Sequence, residues 1–337
     1  MQQLRRSRTA FAAVLCAAAC AQPGLAQMAP TPILTIDIEN WVQYADDIFD
    51  VSRRATNPNV TTPVASRNFD VSVSIGDIVA VNGQPAKGTV AVQSRTLRLN
   101  SSLNPGFAVA DIGRGSFVDF TYEIFSSDGI PVGSIMTSGF GGGAAPPGAP
   151  LAVTNANTAI VGGTGAFLGA RGQAGLAFSP ETTIEARVAS MTEDPVNRRT
   201  HGGGRMRYVL HLIPLSSPQI VVTSSGPAVF HEDQSPVTAA KPARAGETLI
   251  TMVNGLGPTR PRVDPGQQFP LSAVVNSPVG VTVNGRPAGV VNAIGWPGLV
   301  DTYRVDFRVP DDIAAGTTGI QLTVAWIPGP VVSIPIQ

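Results

Sequence analysis

Apolar and polar residues alternate with a period of two along much of this 337-residue chain, the periodicity of strands buried on one face. In residues 117–125, Val118, Phe120, Tyr122 and Ile124 share one face, and Phe117, Asp119, Thr121, Glu123 and Phe125 share the other. In residues 205–213, Met206, Tyr208, Leu210 and Leu212 alternate with Arg205, Arg207, Val209 and His211. Tyr303, Val305, Phe307 and Val309 alternate with Arg304, Asp306 and Arg308, and Ile320, Leu322, Val324 and Trp326 repeat the pattern. Strands of this kind predict antiparallel sandwiches or barrels. Helical spacing is confined to about residues 41–54.

Turn chemistry agrees with an all-β chain. Asn82-Gly83 and Asn284-Gly285 each sit between apolar runs, where Asn and Gly accept the positive φ of a type I′ hairpin turn. The 36 glycines and 29 prolines are spread along the chain, which favours many turns and few long helices. Residues 139–150 (GFGGGAAPPGAP) read as an irregular loop, and a Pro/Ser cluster at 214–218 marks the expected domain boundary. The expected organisation is a leader at 1–26, a first β-domain at 27–215 and a second at 216–337.

The leader changes the charge and the compartment. Arg5, Arg6 and Arg8 precede a short apolar run at 11–21, and Gly24-Leu25-Ala26 offers small residues for a signal peptidase. Cleavage after Ala26 lowers the 23 basic residues to 20 against 23 acidic ones, a net charge of −3. This predicts a secreted, periplasmic or cell-surface protein with no electrostatic case for nucleic acid. Both cysteines, Cys16 and Cys20, lie in the leader, so the mature chain would hold neither a disulfide nor a thiolate-bound metal. A lipid anchor on Cys20 is the alternative, though Ala17-Ala18-Ala19 lacks the usual bulky aliphatic residue.

Residues 160–172 (IVGGTGAFLGARG) invite a dinucleotide-binding reading, but Gly163, Gly165 and Gly169 are spaced G-x-G-x-x-x-G, and strand-like segments at 174–178 and 182–188 follow instead of a helix. The string resembles the VGGTGxFxxARG signature of dirigent proteins, which share an eight-stranded antiparallel barrel with allene oxide cyclases. The resemblance extends over about residues 65–214, through 86–90 (AKGTV), the 117–125 and 134–139 pair, and 206–213 (MRYVLHLI). It departs at the 139–150 insertion and in lacking the disulfide of many plant members. The resemblance implies a barrel that holds a small apolar or phenolic molecule by positioning it, and a possible homo-oligomer. Arg171 alone carries over by motif position, with bracing of the strand as the other reading of that residue.

The second half resembles a C-terminal module of secreted acidobacterial proteins, the Solibacter C-terminal domain, which is similar to immunoglobulin-like IPT/TIG domains. The likeness rests on 242–258 (PARAGETLITMVNGLGP), 281–291 (VTVNGRPAGVV) and 301–310 (DTYRVDFRVP). The expected fold class is therefore all-β: an eight-stranded antiparallel barrel followed by an Ig-like β-sandwich. Such a module implies contact with cell-surface polysaccharide or protein. Trp296 would either face a sugar or plug a loop.

Candidate chemistry is thin. Asp119, Glu123, Arg205, Arg207 and His211 form a polar face that lines the lumen if it points inward and meets solvent if it points outward. The candidate ligand-binding residues are Arg171, Asp119, Glu123, Arg207 and His211. His201 begins an HGGG string, but no nucleophile elbow accompanies it. His231-Glu232-Asp233 reads as an exposed loop. Neither a metal nor a cofactor is expected. Three functions remain: a small-molecule binding protein, an isomerase or cyclase, and a non-catalytic structural surface protein. A lumen packed solid with side chains favours the third, and an open lumen lined by Asp119, Glu123 or Arg171 favours the first two.

Overall fold

A computed structural model describes residues 32–45, 69–100, 113–141, 153–177 and 187–337. All of these fall in one compact unit, Pro32–Gln337. The leader at 1–26 lies outside the described residues.

The first sheet is a closed eight-stranded antiparallel barrel. Its strands are β1 (Ile33–Ala45), β2 (Phe69–Val81), β3 (Gln84–Asn100), β4 (Gly113–Phe125), β5 (Pro131–Gly141), β6 (Val153–Gly163) and β7 (Arg171–Ala177). A short strand β8 (Arg187–Ala189) and the last barrel strand β9 (Gly204–Ile213) follow. Neighbours run β2-β3-β4-β5-β6-β7-β9-β1, and β1 closes the ring on β2. β8 stands outside the ring, pairing parallel with β1 at Val42, Gln43 and Tyr44. Closure removes the exposed edges that an open sheet of this length would present.

Alternation along the strands decides what fills the barrel. Val118, Phe120, Tyr122 and Ile124 on β4 are buried, while Phe117, Asp119, Thr121 and Glu123 are exposed. Leu34, Ile36 and Ile38 (β1), Val90 and Val92 (β3), Ile135 (β5) and Leu210 and Leu212 (β9) point the same way as the β4 set. With Ile78, Ile160 and Ala174 they make one continuous buried cluster to which all eight strands contribute. Among the described residues the lumen is thus filled by side chains, as expected where an eight-stranded barrel is just wide enough for them.

Two expectations from the sequence are overturned, and a third falls mostly on undescribed residues. Trp41–Ala45, expected to be helical, is the end of β1, and residues 46–54 lie outside the described residues. The irregular loop expected from residue 139 begins later, since β5 continues to Gly141. Of the strand expected at 182–188, residues 182–186 lie outside the described residues, and Arg187–Ala189 is a strand.

Asn82-Gly83 closes the β2–β3 hairpin with φ of 51° and 72°. The Asn82 side chain also accepts from the Thr35 amide at 2.7 Å and donates to the Ile33 carbonyl at 3.2 Å. One turn residue therefore ties the start of β1 to the hairpin beside it.

Residues 219–336 form an eleven-stranded antiparallel sheet and a separate two-stranded pair, Val222–Thr223 with Gly226–Pro227, around their own buried cluster, including Leu249, Val253, Val281, Val305, Phe307 and Leu322. The strands Thr248–Asn254, Thr302–Arg308, Arg286–Gly295, Val279–Val283 and Gly316–Val324 are successive neighbours. Asn284-Gly285 again makes a two-residue hairpin turn, with φ of 51° and 74°. A third such turn is unusual: Ala325 and Trp326 sit between paired Val324 and Ile327 at φ of 47° and 61°. Neither residue favours that region, which costs about 1–2 kcal/mol per residue. The turn places Ala325, Trp326 and Ile327 in the buried cluster of the barrel, with the Trp326 indole donating to Gln84 Oε1 at 3.1 Å.

At the opposite end, residues 190–203 strap across the outside of β1 and β2. Arg198 and Arg199 donate to the Asp77 carboxylate at 2.6 and 2.9 Å, and Asn40 donates to it at 3.0 Å. Burial by itself raises the Asp77 pKa, but the bonds from Arg199, Arg198 and Asn40 outweigh it and hold the carboxyl at about 2. A depressed folded pKa means that the stabilisation is complete above the unfolded value near 3.8 and is lost as pH falls through about 2. Asp77 should therefore contribute about 2 kcal/mol at neutral pH. A urea titration at pH 6 and pH 2.5 should show Asp77→Asn losing much less stability on acidification than the wild type. Equal losses would remove Asp77 as the clamp.

Candidate functional site

The residues singled out from sequence all stand on the outer wall. Asp119 and Glu123 project from β4 into solvent, so they do not line the lumen. Arg171 opens β7, is exposed, and donates from one guanidinium nitrogen to the carbonyls of Val161 and Ala170, both at 2.9 Å. Arg207 on β9 forms an ion pair with Asp37 of β1 at 2.5 Å, and Arg205 pairs with Glu39 at 3.3 Å. His211 is half-buried; its Nε2 has no hydrogen-bond partner among the described residues, and burial lowers its pKa. Arg171, Arg207 and His211 lie on neighbouring strands β7 and β9, whereas β5 and β6 separate them from Asp119 and Glu123. The five do not converge.

The glycine motif forms the β6–β7 connection, around a 3-10 turn at Gly165–Phe167. Its glycines permit close approach of protein backbone. Gly165 has φ of 60°, and a Cβ there would lie 2.4 Å from the Val132 carbonyl oxygen. Gly172 has φ of 134°, and a Cβ there would lie 1.9 Å from the His211 carbonyl oxygen. Neighbouring strands occupy the space that a pyrophosphate would need.

Other sequence candidates resolve into structural contacts. His201 is exposed, with its Nδ1 3.6 Å from Glu193. Contrary to the exposed-loop reading, His231 is buried; its Nδ1 lies 2.5 Å from Glu247 and its Nε2 3.2 Å from the Lys241 carbonyl. Asp233 is held by Lys241 at 2.7 Å. Among the described residues no group of three or more His, Cys, Asp or Glu side chains could hold a metal. Trp296 is half-buried, with the Arg304 guanidinium 6.0 Å from its ring centroid. Asp306, on the polar side of the alternation in residues 303–309, is buried and takes a 2.8 Å bond from Arg304.

The barrel interior holds a polar anomaly. Tyr122 is fully buried, and its hydroxyl has no hydrogen-bond partner among the described residues. Its ring packs against Phe120 and Tyr208, at centroid separations of 5.8 Å in each case. Burial pushes both tyrosine pKa values up, so the phenols stay protonated. An unpaired buried hydroxyl costs about 1–3 kcal/mol. Tyr122→Phe should therefore be neutral or stabilising by up to about 2 kcal/mol. A thermal melt more than a few degrees lower would show that the hydroxyl has a partner.

The feature that sequence reasoning missed is a cleft of about 620 Å³ outside the lumen, between the β6–β7 connection and residues 255–269 and 301–303. Its apolar surfaces come from Leu168, Leu215, Leu256, Val263, Phe269 and Ile327. Leu256 and Ile327 are fixed in buried clusters, while Leu168 and Leu215 are 65% and 72% exposed. Phe269 and Tyr303 pack with ring centroids 5.0 Å apart. The Tyr303 hydroxyl donates to the Gly257 carbonyl at 2.7 Å, and burial, helped by nearby Asp301, pushes its pKa up to about 12. A concave, largely apolar surface with a few fixed polar groups and roughly 300–1,000 Å³ of space is the usual form of a small-molecule site. Two exposed leucines, each beside a glycine or a proline turn, were the only local signal.

No family model matches the chain, and no curated protein matches it.

Proposed function

We propose that this chain is an exported binding protein that holds a small apolar molecule in the cleft beside the β6–β7 connection, without catalysis of its own. The observation that carries the reading is the cleft itself: about 620 Å³ of space against buried Leu256, Phe269 and Ile327, flanked by two leucines left exposed. Leaving large apolar side chains in water around a concave surface is the usual mark of an interaction site. The packed lumen turns the argument away from the barrel interior and from an isomerase or cyclase that would confine its substrate there. The closed eight-stranded barrel is compatible with a dirigent-like relationship, and the antiparallel order of residues 219–336 is compatible with an Ig-like accessory module.

Native mass spectrometry of the exported protein, followed by organic extraction, tests this. The expected result is a chain beginning at Gln27 with a stoichiometric small molecule, lost in Leu168→Asp/Leu215→Asp. A clean apo mass, with no thermal shift across neutral and charged apolar probes, would sink the reading.

A second reading, the structural protein that a filled lumen favours, has its own observation. On the outer wall, Met136 (β5), Val161 (β6) and Ile213 (β9) are 37%, 50% and 50% exposed near the same end of the barrel. A structural protein that self-associates through this wall would bury them. Sedimentation velocity would then give an oligomer that Met136→Lys/Ile213→Lys dissociates. A monomer at tens of micromolar would exclude it.

A further inference from the structure

The cleft has a charge as well as a shape. Three ionic side chains line it: Arg262, Asp264 and Asp301. Arg262 and Asp264 form an ion pair at 3.0 Å and cancel one another. Asp301 has no ion pair or side-chain hydrogen bond among the described residues, which leaves one net negative charge on the lining.

The backbone places Asp301 at the rim of the cleft. Asp301 has φ of 49°, a region that Asp and Asn enter more readily than most residues. The flanking loop is closed by the Trp296 amide donating to the Thr302 carbonyl at 2.8 Å and by the Thr302 hydroxyl donating to the Val300 carbonyl at 3.0 Å. These bonds fix the Asp301 backbone beside Tyr303, and its short side chain lines the cleft while exposed to solvent.

Two of the three hydroxyls on the lining are engaged, and Ser216 and Gln267 add only uncharged polar side chains. Tyr303 gives its proton to the Gly257 carbonyl, and Thr259 gives its proton to the Pro261 carbonyl at 3.0 Å. An anionic head group entering the cleft would meet an unpaired carboxylate, and the one cation on the lining is already neutralised. A cationic head would pair with Asp301 while its apolar body covers Leu168 and Leu215.

We propose that the cleft selects apolar molecules with a cationic head, of the arylalkyl- or alkylammonium class, over the alcohol or carboxylate of the same skeleton. This rests on the reading of the cleft as the ligand site. Isothermal titration of the full chain with 4-phenylbutylamine, 4-phenylbutanol and 4-phenylbutyrate at low salt tests it. The amine should bind about fivefold more tightly than the alcohol, and the carboxylate about fivefold more weakly, as expected for one unpaired charge at a solvated site. Raising the salt should shrink both ratios. Asp301→Asn, whose asparagine suits the same backbone, should collapse all three affinities onto that of the alcohol. A carboxylate that binds as tightly as the amine, or a ranking that survives Asp301→Asn, overturns the selectivity. Equal binding of amine and alcohol overturns it too while leaving the cleft as a site. If none of the three binds, the cleft reading fails and this inference with it.

Discussion

Gly172→Ala should destabilise the barrel by more than about 4 kcal/mol, enough to leave most of the chain unfolded or insoluble. Gly172 lies in β7 opposite Ile160 on one side and Leu212 on the other. A Cβ there would sit 1.9 Å from the His211 carbonyl oxygen, and φ is 134°. That oxygen belongs to the backbone of β9, so it cannot retreat without opening the β7–β9 ladder, and the alanine would keep a disfavoured φ as well. Gly162 in the same motif is the control. Its φ is ordinary, and a Cβ there would meet only the flexible ends of Met136 and Arg171, at 3.7 and 4.0 Å. Gly162→Ala should change stability by less than about 0.5 kcal/mol. If urea melts show the two variants alike, the motif is not the close-packed connection described above.

Trp326→Ala should cost about 3–5 kcal/mol, the range for deleting a large buried aromatic side chain. Trp326 is 7% exposed, belongs to the buried cluster of the barrel, and donates to Gln84 across 242 residues of sequence. Its turn holds two non-glycine residues at positive φ, a strain that persists only where packing compensates for it. Without the indole that compensation is gone, and the Ala325 turn has little reason to stay seated on the barrel. The wild type, compact from Pro32 to Gln337, should unfold in one transition, and Trp326→Ala in two. Val324 and Ile327 of the same hairpin line the cleft, so ligand affinity should fall as well. A single transition with unchanged midpoint would mean that the turn only rests on the barrel.

The buried and exposed faces of β4 were written in the sequence, because the pleat of a strand sends alternate residues to opposite sides whatever surrounds it. Which side was the lumen was not. A barrel that holds a ligand and one that holds only its own side chains can share the same alternation, and only closure of all eight strands decides between them. The end of β1 misled for a specific reason. Asn40 takes φ of 52°, and the registers with β2 and β9 both slip between residues 38 and 42. This bulge puts Ile38, Trp41 and Val42 on buried positions, a spacing of three and four that imitates a helix face.

The glycine motif was legible as something other than a nucleotide loop from its spacing and from the strands that follow. Its contacts with Val132 and His211 were not, since both partners are remote in sequence. The cleft was hidden for the same reason. Its walls come from residues 165–168, 215–216, 255–269 and 301–327, and no local pattern links them. Trp326 looked like the last apolar residue of a strand, because Ala-Trp carries none of the turn chemistry that identified Asn82-Gly83 and Asn284-Gly285.

A methyl NMR titration with 4-phenylbutylamine tests the central claim most directly, because leucine, isoleucine and valine methyls report on the cleft and the lumen separately. Binding in the cleft should shift Leu168, Leu215, Leu256 and Val263 and leave Val92, Val118, Ile135 and Ile160 in place. Shifts confined to the lumen set would contradict the account and return the ligand to the barrel interior.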